Sequence, residues 1–359
     1  LGFALRKLSA RWFHILALGS LWVFHLTNLV IWLGCNRRLI AYDQVIHFFN
    51  SIAIAKAVSS PWVFLDFPRF LGQLTAEQPT LHFSLDIYPP FVYFVTSVLY
   101  VFSSPSLPLA TLTNGIFLLA LLVSTYGLSR DLFGSSAGLV AAFLVGAYPI
   151  LVGLTRTYYL DFALTSVVSL TLFLLVRTHE FQDKRIVVLL SLSLLVGMLT
   201  KQTFPLYVVG PLAYVFLRSC RSRVALKNVI LAVAIASIAV VWYLIKPGGF
   251  EAYRYWYVVV PRLRGDVSVP FASLVHLKNT MLFGTGFPMF MLFSAGVFEL
   301  LRSSKNRTFI IIGLLTSFLL LGIFQPTYMD PRFIAPILPL VATTSSIVFK
   351  NFGRPNPSR

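Results

Sequence analysis

Four charged residues stand at the edges of apolar segments, where an unpaired charge is costly: Asp43, Asp161, Lys201 and Arg332. Asp43 belongs to Leu39–Val58, LIAYDQVIHFFNSIAIAKAV, a stretch too short and too polar to cross a bilayer. The pattern predicts a helix on the membrane surface with Asp43 at its start. A carboxylate there can take a proton from an incoming hydroxyl or amine. It is also a favoured helix cap, and the two roles are compatible. Asp161 follows the polar connection Thr155-Arg156-Thr157-Tyr158-Tyr159 at the mouth of the next apolar run. Catalysis, a cap and a pair with Arg156 all fit it.

Lys201, in Leu199-Thr200-Lys201-Gln202-Thr203, joins two apolar runs. It reads either as a snorkelling anchor or as an ammonium that holds a lipid phosphate. Arg332, in Asp330-Pro331-Arg332-Phe333, suits phosphate oxygens better, because a planar guanidinium donates in a fork. His47 lies four residues after Asp43, and His82 and Asp86 repeat that spacing. Such sets can bind a divalent metal, while the plainer reading is a hydrogen-bonded interfacial histidine. His14 and His25 fall inside the first apolar run and read as packing residues. Glycine-rich phosphate loops, Ser/His/Asp order and paired CxxC are absent from the sequence.

Those residues need a scaffold, and composition says which kind. The 359 residues are 57% hydrophobic and 11% charged, with a mean hydropathy of +0.80. A soluble domain has about 25% charged residues, so this is an all-α polytopic membrane protein. Its net charge of +17 would suggest nucleic acid in a soluble chain. Here Lys and Arg lie between apolar runs, where they set topology and meet lipid headgroups; no nucleic-acid-binding signature accompanies them.

Apolar runs cover Trp12–Leu33, Leu107–Leu128, Ala137–Val152, Leu160–Val176 and Ile186–Leu199. They continue with Phe204–Leu217, Val229–Ile245, Gly286–Leu301, Thr308–Phe324 and Phe333–Phe349. Pro89–Phe102 is ambiguous, and charge decides it. If that run is re-entrant or on the surface, Arg177–Arg185, Arg218–Lys227, Arg302–Arg307 and the tail from Lys350 all fall inside, as the positive-inside rule requires. The expectation is therefore about ten spans with both termini cytoplasmic. All four charged candidates then share the outer face. Cys35 and Cys220 fall on opposite sides. Arg6, Lys7 and Arg11 precede a first run that reads as a retained helix, in a chain whose first residue is Leu1.

One transmembrane domain is expected over 1–359, with external loops at 34–106 and 246–285 and no soluble C-terminal domain. The second loop mixes aromatics with cations, including Arg262 and Arg264.

In this order the motifs resemble the GT-C superfamily of membrane glycosyltransferases, closest to its protein O-mannosyltransferase-like and lipid A aminoarabinose transferase-like branch. The resemblance covers about Leu39–Leu217, with an echo at Arg332–Leu340. An acid opens a surface helix (Asp43) and a proline pair closes the first loop (Tyr88-Pro89-Pro90). Tyr126–Gly134 joins two spans, a second acid follows tyrosines (Tyr158-Tyr159-Leu160-Asp161), and Thr200-Lys201 comes two spans later. Family members often carry Asp-Glu where this chain has Asp43-Gln44, and Lys or His in place of Tyr88.

The resemblance implies a GT-C helix bundle in a plasma (inner) membrane. It implies transfer of a sugar from a polyprenyl-phosphate donor to a lipid, glycan or protein acceptor on the non-cytoplasmic face, with inversion. It gives Asp43 as base, Asp161 as its partner, and Lys201, Arg332, Arg262 and Arg264 as donor-phosphate contacts. Tyr88, Arg156, Tyr158 and Tyr159 form the substrate loop. A divalent metal stays open, with His47, His82 and Asp86 as its candidates. Two other classes fit the composition: a lipid or small-molecule transporter, and a non-catalytic GT-C-like subunit. A transporter calls for interrupted helices in two related halves, and no halves repeat.

Overall fold

The computed structural model describes residues 2–36, 42–58, 88–245, 268–303, 306–324 and 330–350, with 254 and 259 as isolated positions. The candidates His82, Asp86, Arg262 and Arg264 lie outside the described residues. Every regular element among those described is helical. In chain order these are α1 (Gly2–Cys35), α2 (Tyr42–Val58), α3 (Phe91–Leu99), α4 (Leu107–Leu112), α5 (Asn114–Phe133), α6 (Ser135–Ala147), α7 (Pro149–Thr155) and α8 (Leu160–Arg177). There follow α9 (Lys184–Thr200), α10 (Pro205–Ser219), α11 (Arg223–Ala236), α12 (Ile238–Ile245), α13 (Val269–Asn279), α14 (Phe287–Ser303), α15 (Arg307–Phe324) and α16 (Leu338–Ser346). A π turn (Thr280–Thr285) precedes α14, and a 3-10 turn (Pro331–Ile337) leads into α16.

Among the described residues, six stretches are long and apolar enough to cross a membrane, or eight when two bent pairs each count as one span. The bends are 63° between α6 and α7 and 119° between the α13–π segment and α14. The expected count of about ten included Ile186–Leu199 and Phe204–Leu217. Those runs form α9 and α10, of 17 and 15 residues, shorter than the six stretches yet joining the same two ends of the bundle, from Lys201 beside Asp161 to Val215, which lines a cleft with Leu175. Pro89–Phe102 contains only the nine-residue α3, too short to cross.

The bundle is organised around two buried stretches, Leu160–Arg177 and Pro331–Phe349, of which 78% and 83% are inside the protein. Their apolar positions do not form a stripe: both are enclosed on all sides, as a central helix must be. α8 packs on α5, α9 and the 3-10 turn, while α16 packs on α6 and α14. By contrast α1 carries exposed Phe13, Leu16, Phe24 and Ile31, an outer helix suited to lipid.

Buried hydroxyls join the inner helices: Ser124 donates to Ser169, Ser129 bonds Ser346, and Thr171 donates to Ser193. With no water to compensate them, such groups act as interhelical glue.

The candidate site falls where the two central stretches begin. Asp161 is in the first turn of α8, and Arg332 in the turn that leads into α16. Because α9 runs antiparallel to α8, its last turn returns to the same end, where Lys201 caps it.

Candidate active site

The local rules that start each element also place the side chains. Asp330 is an N-cap followed by proline, and its Oδ1 accepts from the Arg332 backbone N–H at 2.9 Å. This is a standard helix start, and it holds the Arg332 stem at the bundle's end. Asp43, which fitted both a cap and a base in the sequence, lies in the first turn of α2, where an acid interacts favourably with the helix dipole.

The structure brings the four charges together as two crossed pairs. Arg332 NH1 donates to Asp43 Oδ2 at 2.8 Å across 289 residues of sequence, and its Nε lies 3.3 Å from Asp330 Oδ2. Lys201 Nζ donates to Asp161 Oδ1 at 2.6 Å. Phe333 links the pairs: Lys201 Nζ is 5.2 Å and the Arg332 guanidinium 5.7 Å from its ring centre. Arg332 also lies 4.9 Å over the Tyr159 ring. Cations on aromatic faces gain modestly at exposed sites and more where water is excluded.

The pairs differ in wetness. The Asp161 and Lys201 side chains are 3% and 7% exposed, against 34% and 20% for Asp43 and Arg332. One pair is therefore dry and fixed, the other at the mouth.

Asp161 thus finds its cation on α9, and not in Arg156. The Arg156 guanidinium reaches α1, donating to Asn28 Oδ1 at 2.7 Å and lying 5.8 Å over the Trp32 ring. Tyr158 is buried and donates its hydroxyl to Thr96 at 2.7 Å, so it braces α3. Of the expected substrate-loop residues, Tyr159 and Tyr88 remain beside the charges. Both pack on His47, at ring separations of 6.3 and 4.8 Å.

His47 is buried on α2, and its Nδ1 shares a 2.8 Å hydrogen bond with the Tyr93 hydroxyl. Burial, reinforced by Lys201, pushes its pKa down to about 3 against the pull of Asp43 and Asp161. The Tyr93 hydroxyl is pushed up by its own burial. At neutral pH the bond joins two neutral groups. Among the described residues no cluster of three or more His, Cys, Asp or Glu converges as metal ligands.

Sequence reasoning passed over several groups here. Tyr93 lay in a run read only for whether it crosses the membrane. Phe333 looked like the first apolar residue of a span. Asp330-Pro331 did carry a signal, the cap-plus-proline signature of a helix start. Gln44 Nε2, Gln202 Oε1 and Thr203 Oγ1, each next to or two residues from a paired charge, are enclosed without a hydrogen-bond partner among the described residues. Unmade buried bonds cost about 1–3 kcal/mol each, and a hydroxyl-rich ligand is one way to satisfy them.

Residues 88–245 match the family described as dolichyl-phosphate-mannose-protein mannosyltransferase. The fold is similar to that of ArnT from Cupriavidus metallidurans bound to undecaprenyl phosphate, with a TM-score of 0.59 and 18% identity over 76% of this chain and 51% of that one. Against the apo state of ArnT the TM-score is 0.57, at 19% identity over 75% and 50%. The archaeal oligosaccharyltransferase AglB from Archaeoglobus fulgidus, in complex with an inhibitory peptide and a dolichol-phosphate, gives 0.52 and 13% over 95% and 51%. The chain spans about half the length of these structures. No curated protein matches it.

Proposed function

We propose that the chain belongs with the GT-C superfamily of membrane glycosyltransferases and transfers a sugar from a polyprenyl-phosphate donor to a lipid, glycan or protein acceptor; its fold and the family match across its middle support this reading. The observation that carries the reading is the Asp43–Arg332 pair, a carboxylate and a guanidinium held 2.8 Å apart at a half-open site.

The chemistry is a direct displacement. The acceptor oxygen or nitrogen forms a bond to the anomeric carbon as the carbon–oxygen bond to phosphate breaks. The acceptor proton goes to Asp43, and the electron pair leaves on the polyprenyl phosphate. A phosphate is already a good leaving group, so the useful groups are a base and fixed positive charge. Arg332 uses only part of its five-donor fork on Asp43 and Asp330 and has donors left for phosphate oxygens. The buried Asp161–Lys201 pair sets the position of Phe333, and through it Arg332. Lys201 contributes its charge from behind.

A direct displacement inverts the anomeric centre, and donor binding has to part the 2.8 Å contact between Asp43 and Arg332 so that base and phosphate lie on opposite sides of it. The positive-inside pattern favours the non-cytoplasmic face of a plasma membrane, with both termini inside. Gln44, Gln202 and Thr203 offer the amide and hydroxyl groups a sugar needs.

A non-catalytic subunit is the second reading, favoured by one observation: both acids are already neutralised by cations. Asp43→Asn separates the two. Purified variant, inserted and monodisperse, is expected to lose transfer from a radiolabelled polyprenyl-phosphate sugar while still binding the donor. Unchanged turnover would overturn the role given to Asp43.

A further inference from the structure

At the far end of α8 from Asp161, about 24 Å along the helix axis at 1.5 Å per residue, the surface holds a cleft of about 340 Å³. Its walls are Leu175 and Val176 of α8, Val215 of α10 and Phe309 of α15, with His179 and Glu180 at the mouth. Each helix that supplies an apolar wall also supplies an arginine within three residues: Arg177, Arg218 and Arg307.

These arginines have donors to spare. Arg177 Nε bonds Asp131 at 2.8 Å, its guanidinium lying 4.9 Å over the Phe173 ring; Arg218 NH2 meets Glu180 at 2.8 Å and its NH1 donates to the Tyr214 hydroxyl at 3.2 Å; Arg307 NH1 donates to the Leu301 carbonyl at 3.2 Å. A guanidinium has five donors, so each keeps several. The Arg177 and Arg218 side chains are 42% and 58% exposed.

The mouth is held open by an unusual turn. His179, Glu180 and Phe181 are three successive non-glycine residues with φ of 49°, 61° and 62°. Left-handed backbone costs about 1–2 kcal/mol per residue for side chains of this kind. The surroundings hold it in place: the Phe181 N–H donates to Thr178 Oγ1, the Phe181 carbonyl accepts from Asn228 Nδ2, and the Gln182 and Asp183 N–H groups both donate to the Thr178 carbonyl. The cleft is a preformed feature.

We propose that this cleft binds one anionic membrane phospholipid, an acyl chain lying between α8, α10 and α15 and the phosphate held by the Arg177, Arg218 and Arg307 guanidinium groups. A cavity of this volume is at the small end of the roughly 300–1,000 Å³ range for ligand pockets, suited to one chain. Neighbouring Phe216 and Leu217 are exposed apolar residues on α10, as expected of a face that meets lipid tails. The site is separate from the candidate active site and independent of the reaction assigned there.

The test is native mass spectrometry of the full chain in detergent, titrated with phosphatidylglycerol or phosphatidylcholine. Wild type is expected to prefer phosphatidylglycerol. Arg218→Gln, on an exposed side chain, should weaken that binding about fivefold, the worth of one cation near a headgroup. Glu180→Gln, which removes the acid paired with Arg218 at the mouth, should strengthen it. Val215→Trp fills the cleft and should abolish retention of either lipid. Lys278→Gln, an exposed cation on α13, which packs on the Arg332 turn at the opposite end of the bundle, should change nothing. Equal binding of both lipids, equal effects of the Arg218 and Lys278 variants, or undiminished binding in a folded Val215→Trp protein would each overturn the proposal.

Discussion

The difference in hydration between the two ion pairs makes them behave differently when cut. Asp161–Lys201 is dry, and removing one partner of such a pair strands a buried charge at a cost of about 3–5 kcal/mol. Lys201→Met is therefore expected to lower the unfolding midpoint sharply in a detergent melt. The double variant Asp161→Asn with Lys201→Met should recover most of that loss, since no charge is left unpaired, and yet stay inactive. Asp43–Arg332 is partly solvated, where pairs contribute about 1 kcal/mol or less. Asp43→Asn should then leave the melting curve almost unmoved, which makes its loss of activity interpretable. The sequence named all four residues, because each interrupts an apolar run, and it put them on one face through the lysine and arginine count. It did not pair them. Arg156 is five residues from Asp161 and looked like its partner, but the turn after α7 carries it to Asn28 on α1. The pairing that exists depends on α8 and α9 returning to one end, a tertiary fact.

Helix α2 shows how an element can be read for the wrong face. Its apolar residues suggested a helix resting on lipid, and Phe49 is indeed exposed. Its buried stripe, however, begins Gln44, His47, Asn50 and Ser51 before becoming Ala53, Ile54 and Ala57. The polar half docks on α3 and the turn after it: His47 bonds Tyr93, and Ser51 bonds Tyr100 at 2.8 Å. Hydropathy alone cannot show that a polar stripe faces inward, because its value depends on partners from another segment. This docking has a pH signature. His47 is neutral in the folded protein down to a pKa of about 3 and takes up a proton near 6.5 when unfolded. The unfolded state thus binds the extra proton below 6.5. Stability from this group is complete above that pH and falls by about 1.4 kcal/mol per unit as pH drops from 6.5 towards 3. His47→Gln should flatten that segment of the stability profile, measured by chemical unfolding between pH 7 and 4. A slope unchanged by the substitution would remove His47 from the account.

At the scale of the whole molecule, the bent pair leading into α14 is what carries the outer helices onto the core. Its 119° turn passes through Gly286, whose φ of 73° is left-handed and suits glycine. Composition gave the membrane class, and apolar runs gave most of the helices. Neither could show the bends, since hydropathy treats a broken helix and a straight one alike. After the bend, α14 lies so close to α16 that a methyl group on Gly296 would run into the Thr344 backbone carbonyl. Backbone is a poor shock absorber, so the two helices would have to separate. α16 continues directly from the turn that presents Arg332, and Gly296 therefore couples an outer helix to the position of the site. Gly296→Ala is expected to cost about 1–3 kcal/mol through overpacking and to weaken donor binding along with stability. Gly19→Ala on α1, where added bulk meets nothing within 4 Å, is the matched control and should be neutral or slightly stabilising. If the Gly296 variant melts with the Gly19 variant, the close approach of α14 and α16 does not hold the bundle together. If it melts early but binds donor as wild type does, the site is insulated from that contact.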